Sequence, residues 1–174
     1  LSGVIWVGWR NECLFIAVDV VDDKFVQNMT GKDLWKGDHI EIFIDTKWTP
    51  EVKGTFGEGQ FQIGISPGNL QNTGDILLDI PPEYYIWRPS NIKIKEDIKV
   101  AALKTETGYS IECAIPFKNL NIQPKEEMII GIDICISDTD NPNIQEKMTS
   151  LIKSQWQLAE RSRLKPLKFV GAFK

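Results

Sequence analysis

Histidine, cysteine, net positive charge and long apolar runs are scarce or absent in this 174-residue chain, and each scarcity closes a class of function. The lone histidine, His39, excludes catalysis built on His pairs and excludes a His-rich metal site. Cys13, Cys113 and Cys135 are widely spaced and odd in number, so neither a zinc set nor a disulfide framework is indicated. Each sits in a strand-like run, where a free thiol packs as a small hydrophobe. The formal net charge is -4, which leaves no electrostatic footprint for DNA or RNA. No apolar run approaches a membrane span, and no leader peptide is visible. The chain opens directly on the strand-like Val4-Ile5-Trp6-Val7, as an excised or processed piece of a longer protein would. A Ser nucleophile elbow, a phosphate loop and a dinucleotide fingerprint are all missing. Glycoside hydrolysis needs two carboxyl groups at a defined separation, and no Asp/Glu pair here has a context that singles it out.

What the chain does have is alternation. Hydrophobic residues make up 42% and charged residues 25%, ordinary for a single globular domain spanning 1–174 that buries its own core. Period-2 patterning dominates. Leu14, Ile16, Val18 and Val20 alternate with Phe15, Ala17 and Asp19, and Ile40, Ile42 and Ile44 alternate with His39, Glu41, Phe43 and Asp45. Phe61–Ile65, Tyr109–Ile115 and Ile130–Ser137 repeat the pattern. Val4–Trp9, Ile76–Ile80, Ile98–Lys104 and Lys168–Phe173 are weaker strand candidates. Turn signals at Gly31, Gly37, Gly57–Gly59, Pro67-Gly68, Pro81-Pro82, Gly108 and Asn141-Pro142 separate the runs. Helix signals are few: one short turn at Pro116–Leu120, and a polar Gln145–Ile152 that reads as helix or loop. The fold expected is an all-β antiparallel sandwich of immunoglobulin-like or jelly-roll type.

Three features point toward a ligand. The non-aliphatic strand faces carry Asp19, Glu41, Gln62, Glu112 and Asp133, which reads either as a solvated outer sheet or as an open polar binding face. Of six tryptophans, Trp35 lies in a polar, Gly-containing loop, Trp48 just after a strand, and Trp87 after Tyr84-Tyr85 in a Pro-flanked segment. Loop tryptophans either cap the end of a sandwich or stack on sugar rings whose hydroxyls bond nearby carboxylates and amides. Acidic clusters at Asp22-Asp23 and Asp138-Thr139-Asp140-Asn141 are oxygen-rich, as calcium requires, yet they lack EF-hand spacing and read more readily as solvated turns.

Five segments in register resemble the family 9 carbohydrate-binding modules. They are Leu14 to Asp23, Leu34-Trp35-Lys36-Gly37-Asp38-His39-Ile40-Glu41-Ile42-Phe43-Ile44-Asp45, Gln60 to Ile63, Gly108 to Phe117, and Ile130 to Asp138. The resemblance implies a sugar-binding β-sandwich, often selective for chain ends, with structural calcium. It assigns Trp35 to one side of an aromatic clamp, and Glu41, Gln62 and Asp138 to hydroxyl bonding. The second clamp Trp is absent from the matching stretch Arg163-Leu164-Lys165-Pro166, and Tyr85 and Trp87 are the candidates to replace it. The usual N-terminal strand of the family is also missing or cut off. Asp22 and Asp23 are the candidate metal ligands.

The function expected is a non-catalytic carbohydrate-binding module. It would hold an oligosaccharide or polysaccharide while joined to a catalytic or surface domain of a longer chain. The resemblance further implies an extracellular or cell-surface, bacterial setting and a monomer, without nucleic acid or membrane insertion. A structural sandwich with a decayed sugar site is the alternative. A haem-carrying sandwich, with His39 and a Met as axial ligands, is a third reading.

Overall fold

The five strongly alternating runs all become strands. The computed structural model describes residues 1–70, 79–142, 144–151 and 160–171. The strands are β1 (Ser2–Trp9), β2 (Cys13–Val21), β3 (His39–Asp45), β4 (Gln60–Ser66) and β5 (Glu83–Arg88). They continue with β6 (Lys99–Lys104), β7 (Gly108–Pro116), β8 (Ile129–Asp138), β9 (Lys147–Ser150) and β10 (Lys165–Lys168). One sheet has four strands in the order β1-β2-β7-β6. The other has six, in the order β10-β8-β3-β4-β5, with β9 also on β8. Every pairing is antiparallel. The expected all-β sandwich is the observed fold.

The aliphatic faces of both sheets meet in one core, where Leu14, Ile16 and Val18 face Ile40, Ile42, Ile44, Ile134 and Ile136. Period-2 geometry makes this register hard to shift: sliding β3 by one residue would turn its three isoleucines outward. Each fully buried isoleucine contributes about 2 kcal/mol, so the slip would cost several times that.

The outer faces of the two sheets differ. On the four-stranded sheet Asp19 and Glu112 are exposed, as a solvated face predicts. On the six-stranded sheet Glu41, Asp45 and Asp133 are buried, so the solvated-sheet expectation fails there. The cover is partly apolar: Phe43, Cys135 and Leu164 cluster with Trp48, Phe56 and Met148. It is also partly ionic, because Arg161 donates to both oxygens of Asp45 at 2.7 and 3.1 Å.

Two strands escaped the periodicity. In β5 both faces are half-buried, so polarity does not alternate. β9 is a short polar edge strand inside the segment read as helix or loop. The weak C-terminal candidate shifts to Lys165–Lys168, and Ser2–Trp9 extends the weak N-terminal one. Positions 76–78 of the Ile76–Ile80 candidate, and Trp156, lie outside the described residues.

Candidate functional site

The outer face of the six-stranded sheet floors a groove of about 750 Å³. Glu41 points outward from the central strand β3 because its neighbours Ile40 and Ile42 take the core side. Gln62 of β4 donates its side-chain amide to Glu41 Oε1. Burial pushes the Glu41 carboxyl up to about 7; the Gln62 amide opposes the rise and the Asp133 carboxylate adds to it. Between Glu41 and β5 lies Gly64, paired with both Glu41 and Tyr85. A Cβ at position 64 would land inside the Trp87 ring, so glycine is what lets this indole lie down on the sheet.

The wall is a 3-10 turn, Gly31–Lys36, that carries Trp35 at 40% exposure. Four anchors hold this turn. Leu34 is fully buried beneath it. Trp87 Nε1 donates to the Lys32 carbonyl at 3.0 Å, and the backbone N–H of Gly31 donates to Glu83 at 2.8 Å. Buried Gln27 donates to the carbonyls of Leu34 and Asp38 at 3.1 and 2.9 Å. The Lys36 ammonium sits 5.6 Å from the Trp35 ring centroid and pairs with Asp33 at 3.1 Å. The lining also includes Phe56, with the Arg88 guanidinium 4.3 Å over its ring, together with buried Gln60 and with Gln145. Gln145 is held by Ser137, to whose hydroxyl it donates at 2.9 Å.

An exposed indole and a carboxylate–amide pair lining one groove suit a polyhydroxylated ring. The indole takes the C–H face, and the carboxylate and amide take equatorial hydroxyls. Arg88, Gln60 and Gln145 add further polar partners in the lining.

A second cluster stands at the end of β3 and β8. Ligand oxygens of Asp22, Asp38 and Asp138 lie within 4.8 Å of one another, all in buried residues. Asp38 accepts from the backbone N–H groups of Val26 at 2.5 Å and Thr139 at 2.8 Å. Burial pushes its carboxyl up to about 8, those two donors lower it, and Asp22 and Asp138 raise it further. Asp22 Oδ2, the Tyr109 hydroxyl and the Thr139 hydroxyl have no hydrogen-bond partner among the described residues. Burial raises the Tyr109 phenol well above its ordinary value, and the charges of Asp38, Asp22 and Asp138 add to the rise. Buried like charges with unpartnered oxygens fit a hard divalent cation such as calcium.

The structure therefore brings four of the six expected ligand residues to one groove: Trp35, Glu41, Gln62 and Trp87. Tyr85 lies beside Trp87, ring centroids 5.8 Å apart, outside the groove lining. Asp138 stands in the acidic cluster, away from the lining. Of the expected metal ligands Asp22 is in that cluster, while Asp23 is exposed and outside it. Asp38 was missed, because in sequence it reads as part of the strand-leading motif. His39 is fully buried, bonded to the Gly37 carbonyl at 2.7 Å and edge-on to Trp87.

A family described as "Carbohydrate family 9 binding domain-like" matches residues 1–157. No curated protein matches the chain. Among solved structures, it is similar to a carbohydrate binding module family 9 from Caldicellulosiruptor kristjanssonii in complex with cellotriose. The TM-score is 0.75 at 12% identity, over 99% of this chain and 76% of that one. A complex of such a module from the same organism with glucose gives a TM-score of 0.75 at 13% identity, over 99% and 78%. At these identities the likeness establishes the shared fold.

Proposed function

The chain belongs to the carbohydrate family 9 binding domain-like family, and from that premise we propose that it is a non-catalytic module holding a saccharide in the Trp35 groove. The observation that carries the reading is Trp35 itself. It stands 40% exposed on a braced turn and lines the same groove as the Glu41–Gln62 pair. A decayed site would leave that indole packed under neighbouring loops. Trp35 stacks on one sugar ring, Glu41 accepts its hydroxyl protons, and Gln62 orients Glu41 while keeping its carbonyl for the ligand. Phe56 and Trp87 supply the remaining apolar surface, in place of the clamp tryptophan missing near Arg163-Leu164-Lys165-Pro166.

Relatives of this fold were solved with cellotriose and glucose. A glucose-based oligosaccharide, including its chain end, is therefore the ligand class proposed. Asp22, Asp38 and Asp138 would hold a structural calcium, which supplies positive charge between three carboxylates. Such a module serves a catalytic or surface domain in the same longer chain, in an extracellular or cell-surface setting. The test is calorimetry with cellotriose and a glycan array, with Trp35→Ala as control. Unchanged binding by the variant, or no glycan bound by the wild type, sinks the proposal.

A further inference from the structure

The acidic cluster and the groove share two roots. The first is Asp38. It follows directly on Gly37, whose N–H closes the Trp35 turn on the Leu34 carbonyl at 3.2 Å. Gln27 ties the Leu34 and Asp38 carbonyls together from behind, and a Cβ at Gly37 would collide with the Gln27 amide. The turn and Asp38 are thus one braced unit. The second root is Asp138. Its carbonyl accepts from the N–H of Glu146 at 3.2 Å, next to Gln145 in the groove lining. Gln145 itself is held by Ser137, the residue before Asp138.

We propose that a divalent cation held between Asp22, Asp38 and Asp138 sets the saccharide affinity of the groove, by fixing the two segments that carry Trp35 and Gln145. The inference rests on the saccharide reading of that groove. Without the cation the charges of Asp22 and Asp138 repel one another and crowd the buried Asp38 carboxyl, all within 4.8 Å. The repulsion pushes Asp38 against its bonds to Val26 and Thr139, and Asp138 against the start of the 145–146 segment. Lys147 offsets little of this, being an exposed ammonium 3.5 Å from Asp138 alone. Cation binding favours the arrangement in which both segments are seated, and that is the arrangement a sugar needs. By linkage the sugar then tightens the cation by the same factor.

The experiment uses the whole chain freed of metal with a chelator. Calcium chloride is titrated calorimetrically, then cellotriose is titrated with and without saturating calcium. Backbone hydrogen exchange of residues 31–37 and 144–146 is followed in parallel. One calcium is expected to bind, to tighten cellotriose about tenfold, and to slow exchange in both segments before any sugar is added. Asp22→Asn should lose the calcium effect, so that cellotriose affinity and exchange at 31–37 no longer respond to calcium. Failure of calcium to bind overturns the inference, as does binding that leaves exchange at 31–37 unchanged. Equal cellotriose affinity with and without calcium overturns it too. If calcium slows exchange but no glycan binds, the saccharide reading fails and the inference about affinity falls with it, leaving the cation's hold on the two segments as a separate result.

Discussion

Trp87 Nε1 donates a 3.0 Å hydrogen bond to the carbonyl oxygen of Lys32, joining an edge strand to the turn that carries Trp35. The two residues are far apart in sequence, and the bond makes Trp87 both a groove-lining surface and a brace. Trp87→Phe keeps most of the apolar area and removes the donor. It should cost about 1 kcal/mol of stability and weaken cellotriose about fivefold, read by denaturant melts and calorimetry. An unchanged dissociation constant would show that the brace does not matter for binding.

Trp35→Ala separates binding from folding. The indole is 40% exposed and sits on a turn anchored by Leu34. Truncation should cost about 2 kcal/mol of affinity, roughly 30-fold, with Tm within about 2 °C of wild type. A large fall in Tm would place Trp35 in the packing instead.

Glu41 should make saccharide binding pH-dependent. Its carboxyl is raised to about 7 by burial, so it exchanges a proton acceptor for a donor near neutrality. If the ionised form accepts sugar hydroxyl protons, affinity should climb as pH rises through about 7 and level off above it. The stability sign is opposite. A carboxyl raised in the folded state favours folding most below its ordinary value, and that contribution is lost as pH rises through about 7. Glu41→Gln should flatten the binding profile and lessen the slope of the stability profile, in which Asp38 still titrates, checked by calorimetry and thermal melts between pH 5 and 9.

Gly64→Ala tests the seat of Trp87. The added methyl meets the indole and the Leu34 side chain at once. It should cost about 1–3 kcal/mol and weaken sugar binding, because the displaced indole braces Trp35. Wild-type affinity and stability would mean that Trp87 can shift without consequence.

Chelation should lower the melting temperature. A calcium present at about 100 times its dissociation constant adds about 2.7 kcal/mol, which at this chain length is roughly 5–10 °C. Asp138→Asn should remove the difference between calcium and chelator in a thermal melt.

Strand alternation was legible because a sheet with one buried face imposes period 2 on its sequence. β2, β3, β4, β7 and β8 all show it, and with them came the sandwich and the aliphatic core. Trp35, Glu41 and Gln62 were legible too, since a turn tryptophan and outward polar residues on alternating strands keep their orientation wherever the strands pair. Local pattern could not supply contacts between distant segments. The place of β5 beside β4 put Trp87 over Gly64 and under the Trp35 turn. The meeting of β3 and β8 drew Asp38 and Asp138 to Asp22, and so moved Asp138 from the expected sugar ligands to a buried acidic cluster. The sequence by itself determined which side of each strand a residue faces, because that depends only on parity along the chain. Which strands lie side by side, and which carboxylates are thereby buried together, only the tertiary structure decided, because that is set by packing between residues far apart in the chain.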